Sequence, residues 1–581
     1  MFFSTSVAMI VTELTGVVAV LIDGIIASRF LGVDVYSGIS LLKPFSGIVM
    51  VFASLISVGC NIVCSRLVGL GEKEEANRAF NLSILLALLL GMLFVFASLF
   101  FPTALLHLCG VSLDKYPELN PYLFSYLKGY TIGIPAIILV QVLSPALVMS
   151  NGKKRFTFSS IILCLTDILG DLLNVMLFKG GAFGMGAASS LSYIVQLLML
   201  LPCFLKKESF FLFSFRSLNL RHLPDIVRNG SPSLIKRTAG TFRDILINYI
   251  NIRIAISSAA IAARGIQNDL FQFFFNIPSG MGRTMLTMAG IYYGANDLKG
   301  LKRLYSYGLG LGFRITGSFA LLVFLFAPQL VGIYTADAEV LQLAVFSIRC
   351  MAAALVFDTV AVILQYYLQG IGDIRRTSLF TFCERFAVPV LCAVLMGTLY
   401  GSKGLLSSVA LSKFVLMLLI LLINCIRYKK FPTDLEQIMF LPDGFGGSQS
   451  DNFYAKIGNV SEAIEASVRT QDFALQHNVD GKQAMLAGLF VEELTVNVLE
   501  HAKKKGKDNV SIDFRLFISD TSICLSMTDL GDLFDPTSFH ELHQYDSPEE
   551  HIGIRTVMKA AKEVRYFSTF TSNNLTVYLD R

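Results

Sequence analysis

Glu493, Asn497 and His501 recur at i, i+4 and i+8, an advance of only about 40° per step on a helix, so they share one stripe. Glu493 can orient or deprotonate an attacking hydroxyl, which makes it the candidate catalytic residue, and the neutral amide oxygen of Asn497 can hold Mg²⁺ against phosphates. Downstream, Asp529 closes a strand and enters a tight turn at Gly531. A carboxylate there can accept from an exocyclic amine, while the glycine lets a flat base lie against backbone. Gly553 then opens a helix whose free N–H groups suit phosphate. Together with His501 these residues sketch a site for a flat base and for phosphates with Mg²⁺.

A second set of candidates lies inside long apolar runs, where a charge is costly and needs either a function or a partner. Asp23 and Asp358 are two such acids, and a desolvated carboxyl can exchange a proton for Na⁺ or for a cationic solute. The alternative for each is a structural pair with an intramembrane Arg. Arg237, Arg243, Asp244, Arg264, Asp269, Arg283, Arg349, Glu384 and Arg385 make the later apolar runs basic-leaning, which suits an anionic or zwitterionic cargo. Arg237 and Arg283 are as readily explained by snorkelling, and Glu13 is ambiguous in the same way.

The elements that must hold these residues are of two kinds. A chain of 581 residues that is 54% hydrophobic, 16% charged and contains 47 Phe carries more apolar surface than a soluble domain needs. A bilayer core of about 30 Å takes about 20 apolar residues per helix. Twelve stretches qualify, near 2–28, 41–64, 82–106, 121–149, 156–178, 184–205, 232–256, 260–290, 305–330, 341–369, 376–398 and 402–426. The first is expected to be a span and not a removable leader, since its first basic residue is Arg29. Basic residues gather in alternate loops, for example Arg66, Lys73 and Arg78, Lys153 to Arg155, and Arg427 to Lys430, which places both termini in the cytoplasm. Nucleic acid is an unfavoured partner at a net charge of +5, and the ten scattered Cys fit reduced packing residues better than a disulfide or zinc framework.

The apolar part also repeats. Gly59 and Gly71 are spaced like Gly282 and Gly294; Gly152, Arg155 and Thr157 recur as Gly372, Arg375 and Thr377; and the GxxSS at Gly186 returns at Gly404. Three such matches in order indicate a parallel six-plus-six duplication with a cleft between lobes as the natural substrate site. After RYKKFP the run LPDGFGGSQSDN is built of turn formers, and ordinary globular alternation follows from about residue 450. Residues 459–477 and 482–503 read as helices, and 510–518 and 522–529 as half-buried strands.

The segments IDGIIASRFLG (22–32), SRLVGLGEKEEANRAF (65–80), AAIAARGI (259–266) and IYYGANDLKGLKR (291–303) resemble the MATE (multidrug and toxic compound extrusion) family. The resemblance covers roughly 1–430 and implies an all-α polytopic fold of twelve transmembrane helices, with an N-lobe at 1–206 and a C-lobe at 207–430. It also implies alternating access and export of organic cations or related solutes against H⁺ or Na⁺, with Asp23 in a coupling position and Asp358 like an ion-site acid of some members. The segments EELTVNVLEH, DLGDLFDP and HIGIRTVMKAAKEVRY, with a final NLTVYL strand, resemble the N box and two glycine boxes of the GHKL (histidine kinase-like) ATP-binding fold, specifically the anti-sigma-factor serine-kinase type. That resemblance covers 450–581, behind a linker at 431–449, and implies a cytoplasmic α/β sandwich binding ATP with Mg²⁺. His551, Asp532 and Leu533 depart from the usual box residues. The whole reads as a cytoplasmic-membrane antiporter with a regulatory nucleotide-binding domain and a cytoplasmic regulatory protein as possible partner. A membrane-anchored serine kinase or partner switch, or a flippase for an anionic lipid-linked precursor, are the alternatives.

Overall fold

The computed structural model describes all residues except 1, 33–34, 36–37, 40–41, 109–116, 206–209, 215–218, 255–262, 265, 268–269, 272, 335–336, 430–433, 443–444, 447–450, 505–509, 520–521, 530–555, 558 and 570–571. The glycine-box residues Gly531, Asp532, Leu533, His551 and Gly553 therefore lie outside the described residues, as does Asp269 and as do the side chains of Arg237 and Asp244.

The N-lobe is built from α1 (Phe2–Ile26), α2 (Lys43–Gly69), α3 (Lys73–Phe100), α4 (Asn120–Thr131), α5 (Ile134–Met149), α6 (Lys153–Leu173) and α7 (Gly181–Leu200). The C-lobe follows with α8 (Leu223–Ile254), α9 (Asn276–Gly294), α10 (Leu298–Leu325), α11 (Ala338–Gly370), α12 (Ile374–Phe382) and α13 (Val388–Tyr428). Among the described residues eight helices are long and apolar enough to cross a membrane, or nine if the 48° bend between α4 and α5 belongs to a single span. The stretches expected at 376–398 and 402–426 run on as one helical segment of 54 residues, Ile374–Arg427. Straight, it would be about 80 Å long, far beyond a bilayer, but the backbone breaks at Gly401 (φ 60°, ψ −141°). The stretch at 232–256 falls in α8, which is heavily charged, and the one at 260–290 lies partly outside the described residues.

The repeat is visible in the turns. Residues with left-handed φ come in pairs at matching places: Gly71 (76°) and Asn296 (52°) after α2 and α9, Asn151 (65°) and Gly372 (76°) after α5 and α11. Each pair uses Gly in one lobe and Asn in the other, the two residue types that tolerate this conformation best. The lobes meet where α2 and α9 cross. A Cβ on Gly69 would collide with the Ile291 carbonyl oxygen, and one on Gly294 with the Arg66 carbonyl oxygen, so each helix lays bare backbone on the other. The structural counterpart of Gly294 is thus Gly69, two residues before the Gly71 that spacing alone suggests. Asn61 donates to Thr287 across the same seam at 3.0 Å.

The stretch expected to be a linker is tied down. Phe440 is buried with Arg376 and Arg427 over its ring, its carbonyl accepts from Arg376 at 3.0 Å, and Phe445 stacks on Tyr293 with ring centroids 4.9 Å apart. Beyond it lies a two-layer α/β unit. Strands β1 (Asn452–Ile457), β2 (Ile512–Ile518), β3 (Ser522–Asp529), β4 (Glu563–Thr569) and β5 (Ser572–Asp580) form an antiparallel sheet in the order β1-β2-β3-β5-β4. Helices α14 (Val460–Gln476) and α15 (Gly481–Lys504) cover one face, over a core that includes Ile457, Phe490, Phe514, Leu516, Leu525 and Val577. Asn459 caps α14 by accepting from the Glu462 N–H at 2.9 Å.

Candidate functional site

In the N-lobe α1 packs on α6, and the contact gathers three acids. Asp167 and Asp171 are one turn apart on α6, hence on one face, and both are buried. Asp23 of α1 lies within electrostatic reach of both. The hydroxyls of Ser189 and Ser192 face Asp167, and Tyr126 and Tyr193 border the cluster. Neither oxygen of Asp171, nor Oδ1 of Asp23 or Asp167, meets a hydrogen-bond donor from the described residues. Both helices change winding just beyond the acids, α1 into a π-turn at Ala27–Leu31 and α6 into another at Asn174–Phe178. A π-turn interrupts the regular ladder and is common at functional sites. Three carboxyls with open lone pairs, two buried and that of Asp23 half-buried, form an acceptor for protons or a small hard cation.

The C-lobe solves the same problem differently. Lys413 of α13 places its ammonium 2.5 Å from Asp358 Oδ1 and 2.7 Å from Glu384 Oε1, and Arg385 Nε lies 2.8 Å from Glu384 Oε2. Glu384 and Arg385 sit in a third π-turn, Cys383–Ala387. Asp358 is therefore already charge-paired, with a Lys and not the Arg considered from sequence. This network borders a small open cavity lined also by Arg243, Arg264, Gln267 and Ser412. Arg264 donates to Gln267, whose amide donates in turn to the Leu406 carbonyl at 3.0 Å. Arg283 lies outside this cavity and pairs with Glu13 of α1 at 2.7 Å, so that these two join the lobes. Arg349 packs on the Phe324 ring.

In the C-terminal unit Asp529 ends β3 on the helix-covered side of the sheet and is buried. Its Oδ1 accepts from Asn573 Nδ2 at 2.9 Å, and the Tyr566 hydroxyl donates to Asn573 Oδ1 at 2.7 Å, so a short chain of donors orients the carboxylate. Glu493, Asn497 and His501 lie along α15, half-buried, half-buried and exposed in turn. Glu493, Asn497 and His501 thus share one helix, and the buried Asp529 carboxylate ends a strand of the adjoining sheet.

The family model MatE matches residues 8–176 and 232–395, more than half of the chain. The chain belongs to the MatE family. Among its relatives are the multidrug export protein MepA of Staphylococcus aureus, 23% identical over 440 residues that span 73% of this chain and 94% of that protein, and MepA of Staphylococcus saprophyticus, 23% identical over 448 residues, 75% of this chain and 95% of that one. An outward-facing multidrug resistance MATE transporter of the MOP superfamily superposes with a TM-score of 0.68 at 20% identity, covering 74% of this chain and 95% of its own. A MOP superfamily transporter from Pyrococcus furiosus, described as having a binding pocket of reverse polarity, gives 0.66 at 20% identity with coverage of 74% and 95%. The MatE match ends before the C-terminal unit.

Two acids and one base of these sites were not singled out from the sequence. Asp167 and Asp171 stood in plain view as the i, i+4 pair of DILGD inside an apolar span, where every charge needs a reason. Lys413 is a single basic residue in an apolar run, and nothing in its own neighbourhood points to Asp358, 55 positions earlier, or to Glu384. Only the packing of α11, α12 and α13 in this MatE fold joins them.

Proposed function

We propose that this MatE transporter is a secondary-active exporter that binds its coupling ion, a proton or Na⁺, at Asp23, Asp167 and Asp171. The observation that carries this is the contrast between the lobes: Asp358 and Glu384 already hold Lys413 and Arg385, whereas the N-lobe acids meet no cation among the described residues. Binding one cation relieves the repulsion among the three carboxyls, and that relief differs between conformations in which α1 is straight or rewound at its π-turn. Cargo passes between the lobes. The relatives named as multidrug exporters favour an organic cation; the Arg243, Arg264 and Lys413 lining of the C-lobe cavity favours a second reading, an anionic or zwitterionic solute such as a lipid-linked headgroup.

The basic loops support a cytoplasmic side for both termini and the C-terminal unit. There we propose a GHKL-type domain that binds ATP with Mg²⁺ through Asn497, His501, Asp529, Gly531 and Gly553, with Glu493 as its general base, and that regulates transport without driving it. The test is efflux from proteoliposomes under imposed ΔpH or ΔNa⁺. Asp171→Asn should abolish gradient-driven efflux while leaving insertion intact; unchanged efflux in that variant moves the coupling site elsewhere, and efflux that requires ATP but neither gradient rejects the mechanism.

A further inference from the structure

The face of the sheet that carries no helix is turned toward the transporter and touches both lobes. On the C-lobe side the contacts gather at the turn between α9 and α10: Arg515 Nη1 donates to the Ala295 carbonyl at 3.3 Å, Lys299 lies 4.2 Å from the centre of the Tyr454 ring, and Arg303 is 3.6 Å from Asp513. On the N-lobe side Arg565 donates to the Leu70 carbonyl, in the turn between α2 and α3, and its stem lies against Gly71. These are the two turns that the internal repeat relates.

Strand pairing fixes the distance between the contacts. Arg515 is opposite Ser526, Ser526 opposite Thr576 and Thr576 opposite Arg565. The two arginines thus occupy one cross-strand row, three strand spacings or about 14 Å apart. Between the turns they touch, Gly69 and Gly294 hold α2 and α9 backbone to backbone. The bundle is closed at the end where the sheet sits.

We propose that the C-terminal domain is a cross-lobe clamp: by gripping one turn of each lobe at a separation fixed by its own strand ladder, it holds this end of the transporter shut. The proposal rests on the alternating-access reading, in which one lobe rocks against the other around a central site. A hydrogen-bonded sheet does not stretch, so the turns cannot separate unless one grip lets go. The grips are unequal. Among the described residues the C-lobe is held by Arg515, Lys299 on Tyr454, and the anchored Phe440 and Phe445, whereas the N-lobe contact rests on Arg565. Opening therefore proceeds by release of Arg565 from the Leu70 carbonyl while the domain rides on the C-lobe. Whatever binds the domain and moves β4 sets the fraction of time this end can open.

The experiment is double electron–electron resonance on the full chain in nanodiscs, with labels on genetically encoded residues at Glu74 of α3 and Ser306 of α10. Encoded residues avoid the ten native cysteines. Arg565→Glu should shift the ratio of long to short distances about tenfold toward the long, the scale of losing one hydrogen bond made by a charged donor. Glu72→Lys should do the same from the transporter side without touching the sheet, since the Glu72 carboxylate lies within electrostatic reach of Arg565. Pairing Glu72→Lys with Arg565→Glu should restore the short distance. Distance distributions unchanged in both single variants overturn the clamp. A shift in distance without any effect on efflux supports the clamp and counts against the exporter reading instead, because the label pair reports conformation whether or not cargo moves.

Discussion

Arg515 and Arg565 stand on one row of the same sheet and donate to carbonyls of different lobes, at Ala295 and Leu70. Between them on that face lies Cys524 of β3, paired with Tyr578 and within the field of both arginines. Soluble domain and transporter are thereby coupled through a surface whose one thiol reports whether it is covered.

Burial pushes the Cys524 thiol up to about 11. The thiolate is the reactive form, so in the docked chain only on the order of 0.1% of it is present at pH 8. Alkylation by iodoacetamide, mapped by mass spectrometry, should accelerate with each pH unit up to about pH 10 and not level off near 9. In Glu72→Lys, which leaves Arg565 and its field in place, the same site should react faster at pH 8, as the covered face opens to water. Levelling near pH 9 in the unaltered chain would mean that the sheet face is already exposed.

Lys413 bridges Asp358 and Glu384 where all three are buried. Removing one partner of a buried pair strands the other charge and costs about 3–5 kcal/mol. Lys413→Met should therefore lower thermal stability sharply, and Lys413→Met with Asp358→Asn should recover much of it, since Glu384 keeps Arg385. The recovery separates a charge-balancing role from a coupling one. If the double variant regains stability and also exports against a proton gradient, Asp358 is excluded as the coupling acid and the N-lobe cluster stands alone.

The sequence revealed those parts of the fold that local patterns dictate. Apolar length fixed most of the spans, period-2 alternation gave β2 and β3, and the turn residues of the repeat were found to within two positions, Gly71 being read where Gly69 makes the contact. Strands β1 and β4 escaped because Asn452–Ile457 and Glu563–Thr569 lie at the sheet's edges, with weak alternation and several charges. Asp23 and Asp358 stood out as charges in apolar runs that also match the family's acid positions. Their opposite situations were not legible, because whether a buried acid meets Lys413 or two further acids is a matter of which helices pack together.

The seam at Gly69 and Gly294 should tolerate no side chain. Gly294→Val places a branched Cβ against the Arg66 carbonyl, so α2 and α9 must separate. The Glu74–Ser306 label distance should lengthen even with the clamp residues intact, and export should fall because one limiting conformation is lost. A short distance with normal efflux would show that the helices do not need backbone contact to close.

The final prediction concerns Asp529. Asn573, held by the Tyr566 hydroxyl, donates to one oxygen of this buried carboxylate and so fixes its plane. An adenine amine is a donor that matches a carboxylate, whereas guanine presents a carbonyl at the corresponding position and sets acceptor against acceptor. Leaving such a group unsatisfied in a buried site costs on the order of 1–3 kcal/mol, so the full-length protein in detergent should prefer ATP over GTP by about tenfold or more. Asp529→Asn, which offers a donor as well as an acceptor, should narrow that ratio while weakening ATP. Tyr566→Phe should weaken ATP more modestly and leave the ratio nearly unchanged, because it loosens the orientation of Asn573 without altering what Asp529 can accept. Isothermal titration with the two nucleotides and Mg²⁺ decides the matter: equal affinities in the unaltered chain would remove the adenine assignment and leave the domain as a docking module that works through its sheet alone.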